Sequence, residues 1–177
     1  MQREADQSGL AAEMLRHLDA LYNLARWLTH NPVDAEDLVQ ETYLRAIRAA
    51  HQFQSGTNLR AWLFQILRNT FYTQYKRKRR EPEAVDPEVL DRLSHPSGAV
   101  GINHRLAGSA DGAAGLDVAE ALNRLPEEYR SVVLLADLED FTMEEVARIM
   151  ACPVGTVKSR LFRARALLKQ FLRDYVG

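Results

Sequence analysis

The feature that most constrains this chain is an interruption. Apolar residues recur every three or four positions through both ends of the sequence, the pattern of amphipathic helices. Between those ends, residues 81–117 read "EPEAVDPEVLDRLSHPSGAVGINHRLAGSADGAAGLD", rich in Pro, Gly, Ser and acid and with little periodicity. Such a stretch has too little apolar surface to fold alone and predicts a flexible acidic linker, with room for one short helix near Pro87–Leu93. The expected fold is therefore all-α: two small helical domains, residues 8–80 and 118–175, tethered by linker 81–117.

Charge follows the same division. The net charge of −1 conceals 12 basic against 8 acidic residues in 1–80, then 2 against 7 in 81–117. Residues 118–150 hold 3 against 8, and residues 151–177 hold 6 against 1. Two basic patches separated by acidic material predict two polyanion contacts rather than a diffuse coat.

Several classes fall away. No run of about 18 apolar residues is present, which excludes a transmembrane helix and membrane insertion. The N-terminus "MQREADQSGLAAEML" carries acids and no apolar core, unlike a secretory signal, so a cytoplasmic protein is expected. The single Cys152 makes neither an internal disulfide nor a Cys-rich zinc site and reads as a buried structural thiol. His17, His30, His51, His95 and His104 lack ligand spacing, so no metal or cofactor is assigned. No phosphate loop or nucleophile arrangement points to an enzyme.

In the first domain, Leu10–His30 reads as one helix whose inward stripe is Met14, Leu18, Leu21, Tyr22, Ala25 and Leu28. "NPVDAED" breaks it, with Asp34 expected to cap a second helix running to Ala50. There Leu38, Val39, Tyr43, Ala46 and Ile47 face inward, while Asp37, Gln40, Glu41 and Leu44 form an acidic-polar stripe. That stripe fits a solvated face or a docking surface for a partner's arginines. "HQFQSGTN" is a loop turning at Ser55-Gly56, and a third helix spans about Leu59–Lys78. It mixes Trp62, Phe64, Phe71, Tyr72 and Tyr75 with Arg60, Arg68 and the "KRKRR" run. Unpaired bases suit such a surface, and so does a plain core that takes Trp62 and Phe71 inward.

In the second domain, helices are expected at Val118–Asn123 and Glu127–Leu138, the latter opening at Pro126. Thr142 with Glu145 forms a capping box for a helix burying Met143, Val146, Ala147 and Met150. A break at Cys152-Pro153-Val154-Gly155 then leads into a helix from Thr156 to Asp174. Its Val157, Leu161, Ala164 and Leu168 pack inward, leaving Thr156, Lys158, Ser159, Arg160, Phe162, Arg163 and Arg165 outside. Two helices joined by so short a turn, the second basic, predict a helix-turn-helix that lays its second helix against duplex DNA, a reading favoured over a merely solvated basic face.

Three stretches together carry a resemblance: "DAEDLVQETYLRAIRAAHQF", "NLRAWLFQILRNTFYTQYKRKRR" and "LPEEYRSVVLLADLEDFTMEEVARIMACPVGTVKSRLFRARALLK". In this order and spacing they resemble an extracytoplasmic-function (ECF) sigma factor of bacterial RNA polymerase, across nearly the whole chain outside the linker. The resemblance implies that residues 8–80 correspond to sigma region 2, residues 118–175 to region 4, and that the partners are core polymerase, promoter DNA and an anti-sigma factor. It implies that Asp37, Gln40 and Glu41 meet the β′ clamp helices, with region 4 against the β flap. It places Phe53, Arg60, Arg68, Asn69, Tyr72 and Lys76 at the −10 element, where a non-template base is flipped from the stack into a pocket. Asn69, seven residues after Trp62, is the foremost candidate for touching that base. Lys158, Ser159, Phe162 and Arg163 become base-proximal at the −35 element, with Thr156, Arg160 and Arg165 on phosphates. The acidic linker would thread basic polymerase channels, so Glu83, Asp86, Glu88 and Asp91 should matter for holoenzyme formation or early initiation.

Overall fold

The computed structural model describes residues 2–80 and 112–176, and the chain divides into two compact units, within Met1–Asp86 and within Pro87–Gly177. All regular elements among the described residues are helical. The expected short helix near Pro87–Leu93 and most of the acidic linker lie outside them.

The first unit holds α1 (Gln2–Leu15), α2 (Leu18–Thr29), α3 (Pro32–Arg48) and α4 (Leu59–Arg80), with a single 3-10 turn at Ala50–Gln52. The first helix expected from the sequence is two, because the chain tightens at Arg16 and His17, whose N–H groups donate to Glu13 and Met14 carbonyls. Leu18, expected inward, is consequently 41% exposed. The α3 cap also differs: Asn31, not Asp34, accepts from the Val33 and Asp34 N–H groups, and Pro32 opens the helix. Asn is as good a cap as Asp, and proline is preset for the first helical position, so the pair starts the helix three residues early. The core consists of Met14, Leu21, Leu24, Ala25 and Trp27 with Leu38, Ala46, Leu63, Phe64 and Leu67. α4 packs against α1, α2 and α3. The Tyr43 hydroxyl donates to the Met14 carbonyl (2.7 Å) and ties α3 to the end of α1. Burial, and then the nearby Asp19, raise the Tyr43 pKa.

The second unit holds α5 (Gly112–Arg124), α6 (Glu127–Val133), α7 (Met143–Met150) and α8 (Val154–Val176). α6 does not run to Leu138 as a plain α-helix. Leu134–Leu138 widens into one π turn closed by Glu139 N–H to Leu134 C=O (3.0 Å), and Asp140 follows in the left-handed region. Periodicity carries no signal for the extra residue of a π turn. α5, α6 and α7 all pack on α8. Arg130 is 7% exposed and donates to the Asn123 carbonyl near the end of α5, a cation suited to that negative dipole end. Burial lowers its pKa, with Glu127 opposing the shift.

The capping box forms as expected: Thr142 Oγ1 accepts from Glu145 N–H (3.2 Å) and Glu145 Oε2 accepts from Thr142 N–H (2.9 Å). The turn, however, lies at Ala151–Pro153 rather than Cys152–Gly155. Ala151 takes φ +51° to end α7, the Cys152 N–H returns to the Ala147 carbonyl, and Gly155 is already helical. Cys152 is half-buried at this bend. Replacing Thr142 by Ala removes one side of the capping box and should lower the unfolding free energy by about 1 kcal/mol. Urea denaturation checks this, with an unchanged midpoint refuting it.

Candidate nucleic-acid interface

α8 is two-faced. Val157, Leu161 and Ala164 are buried, at spacings of four and three. The opposite side carries Lys158, Ser159, Phe162 and Arg163, all exposed, with Phe162 at 77%. An exposed phenylalanine amid cations gains nothing from water, and an apolar ring suits a thymine methyl or a base edge in the major groove. Thr156 is half-exposed in the first turn, and its carbonyl accepts from the Ser159 hydroxyl (3.1 Å). Leu168 is half-buried rather than core.

Two members of the expected DNA-facing set are engaged within the domain. Arg160 Nη2 lies 3.1 Å from Glu128 Oε2, and Arg165 makes a two-pronged pair with Asp137, its Nε 3.1 Å from Oδ2. The hydrogen bond to Asp137 raises the Arg165 pKa. Sequence spacing shows that an arginine is off the buried stripe; it does not show the acid across the fold.

In the first unit, Gln54–Thr57 forms the turn: the Gln54 carbonyl accepts from both the Thr57 N–H (3.1 Å) and its hydroxyl (2.7 Å). Gly56 has φ +90°, a conformation that other residues rarely adopt. Asn58 Oδ1 accepts from Ala61 N–H and starts α4. The Phe53 ring lies 5.2 Å from Trp62, both half-exposed, and pins the loop to the helix. Trp62 and Asn69 are seven residues apart, two helical turns, and share one side of α4; the Lys76 side chain lies outside the described residues. Asn69 is exposed and Tyr72 half-exposed, and the Arg68 guanidinium lies 4.5 Å over the Tyr72 ring.

Arg60 does not join them. Nine residues before Asn69, it lies about 180° away round the helix. It sits over Phe64 at 5.4 Å, and its charge, after burial, is the next cause of the lowered His17 pKa. The core assignment also shifts: Phe64 is fully buried, while Trp62 and Phe71 are only partly so.

On α3, Asp37 and Gln40 are exposed, and Glu41 is held by Arg45 one turn on (2.7 Å). Val33, Leu44 and Ile47 are 63%, 48% and 57% exposed. Ile47 was expected inward, but it lies one position past buried Ala46 at the stripe's edge. Val33, Asp37, Gln40, Leu44 and Ile47, spaced four, three, four and three, form one line with apolar ends and a polar middle. Among the described residues, no helix is long and apolar enough to cross a membrane.

These surfaces coincide with known modules: Sigma-70 region 2 matches residues 14–81 and Sigma-70, region 4 matches residues 115–168. ECF RNA polymerase sigma factor EcfG of Rhodopseudomonas palustris (strain TIE-1) is 38% identical over 166 residues, 92% of this chain and 84% of that protein. The chain belongs to the ECF sigma factors. ECF RNA polymerase sigma factor SigE of Mycolicibacterium smegmatis is 37% identical over 176 residues, 97% of this sigma factor and 64% of that longer protein. The sigma factor RpoE from Bartonella quintana, solved in complex with the anti-sigma factor NepR, matches with a TM-score of 0.71 and 38% identity, over 92% of this chain and 95% of that one. Sigma factors direct RNA polymerase to promoters and are non-catalytic initiation factors.

Neighbouring residues on α8 should respond unequally to truncation. Leu161→Ala is expected to cost about 2–5 kcal/mol of stability, and Phe162→Ala less than about 0.5 kcal/mol. Chemical denaturation of the two variants measures the difference, and equal losses would contradict the assigned facing.

Proposed function

We propose that this sigma factor divides polymerase docking and promoter recognition among the three surfaces described above, inside the cell with its polymerase. The α3 line of Asp37, Gln40 and Glu41, extended by Val33, Leu44 and Ile47, docks on core polymerase at the β′ clamp helices. Its polar middle and apolar ends suit a partner helix pair that offers both arginines and apolar side chains. Region 4 meets the β flap. The Gln54–Thr57 turn with Asn69, Arg68, Tyr72 and Lys76 captures an unpaired base of the −10 element. Phe53 shapes that pocket by holding the loop to Trp62. Flipping a base costs a few kcal/mol, which stacking and amide contacts in the pocket offset, so strand opening proceeds by capture without covalent chemistry.

Lys158, Ser159, Phe162 and Arg163 read the −35 duplex, and Thr156 approaches a phosphate at the start of the helix. The single observation that carries the assignment is the 77% exposure of Phe162 among basic neighbours, on a helix whose other side is core. An anti-sigma factor holds the protein inactive, in line with the NepR-bound relative. The acidic segment containing Glu83, Asp86, Glu88 and Asp91 tethers the two units and is drawn to basic polymerase channels.

The test is run-off transcription with the purified chain, bacterial core polymerase and fragmented genomic DNA of the host. Discrete transcripts that require the chain are expected. Core binding without transcripts would overturn promoter direction, and absence of core binding would overturn the α3 assignment. On a promoter so found, Arg163→Ala should weaken −35 duplex binding by about 5- to 150-fold, the worth of one bidentate base contact. Asn69→Ala should spare duplex binding and depress open-complex formation, read by permanganate footprinting.

A further inference from the structure

A domain that binds an anion gains nothing from acids beside its reading helix, yet two lie there. Glu128 stands in the first turn of α6 and Asp137 in the π turn that continues it. Their partners, Arg160 and Arg165, lie about 60° to one side and about 80° to the other of Val157, which is on the buried stripe. The two ion pairs therefore flank the buried seam of α8 at two heights, and both are anchored on the same continuous element. The seam itself consists of Val157, Leu161 and Ala164, short or branched apolar groups that resist separation but not rotation of the helix about its own axis. A two-pronged arginine–carboxylate contact has a fixed direction and resists that rotation. The π turn matters because its extra residue re-aims Asp137, which a regular helix would turn elsewhere.

We propose that Arg160 and Arg165 are ion-paired outriggers rather than phosphate contacts, and that Glu128 and Asp137 are positioning residues that fix the roll of the reading helix and thereby its sequence discrimination. This rests on the reading of α8 as the −35 helix. A few degrees of roll shift the tips of Phe162 and Arg163, the outermost groups, by roughly half an ångström, enough to spoil the alignment of a contact to a base edge. The consequence is specific: exposed ion pairs contribute little to folding, so loss of Asp137 should show in discrimination and not in stability.

The experiment uses the full chain. Wild type first selects its preferred duplex from randomised double-stranded DNA; binding to that duplex and to a scrambled one is then measured across a salt series. Asp137→Asn is expected to reduce the preference for the selected duplex by about tenfold, with scrambled binding and the unfolding midpoint unchanged. Glu128→Gln should act in the same direction. The charge-swapped double variant, Asp137→Arg with Arg165→Asp, should restore the preference, which a phosphate-contacting Arg165 would not allow. Overturning results are equally definite. Tighter binding of the D137N variant to both duplexes alike, with a salt slope steeper by about one, would make Arg165 a restrained phosphate contact. Undiminished discrimination in D137N, or no recovery in a folded swap variant, would also refute the proposal. If wild type enriches no sequence, the −35 reading fails and this proposal with it; if wild type enriches one and D137N discriminates equally, only this proposal falls.

Discussion

Burial of Val157, Leu161 and Ala164 on one side of α8 directs every other side chain of that helix. An α-helix distributes its side chains rigidly at 3.6 per turn, so committing one stripe to the core commits the opposite stripe to whatever lies outside. The same constraint operates on α4, where Leu63, Phe64 and Leu67 are buried and Asn69 is thereby turned outward. It operates again on α3, where burial of Ala35, Leu38, Val39 and Ala46 exposes the line from Val33 to Ile47. Each of the three surfaces is the reverse side of a hydrophobic seam.

This arrangement explains how so small a protein carries several surfaces. Each unit needs its long helices for the core, and each spends only one side of them on it. The tight connections matter as much as the helices. Gly56 at φ +90° shapes the loop before α4, and Ala151 at φ +51° allows α7 and α8 to meet within three residues. Alanine in that conformation is strained by about 1–2 kcal/mol, which the Cys152 N–H bond to Ala147 and the packing of α7 on α8 over-determine.

Much of the candidate site was legible because helical periodicity separates inside from outside. The inward set of α8 was correct for Val157, Leu161 and Ala164, the Thr142–Glu145 box formed, and the outward placement of Asn69, Lys158 and Phe162 followed. Misplacements occurred where periodicity is blind. Ile47 and Leu18 sit at stripe edges or beside a break, where one residue of slippage exchanges core for solvent. Arg60 was grouped with Asn69 by the resemblance, although helical geometry sets them on opposite sides. The plain-core reading took Trp62 and Phe71 inward, and the fold gave the fully buried place to Phe64.

The sequence by itself determined two helical units, the break between them, the family, and the basic character of the last helix. These follow from local propensity, charge spacing and motif order, all properties of neighbours along the chain. Only the tertiary structure decided that Arg160 faces Glu128, that Arg165 faces Asp137, and that a π turn places that aspartate. Those partners are 32 and 28 residues apart in sequence, and their meeting depends on how α6 packs on α8. Contacts across a fold are set by the register of packed surfaces, which no spacing within one helix encodes.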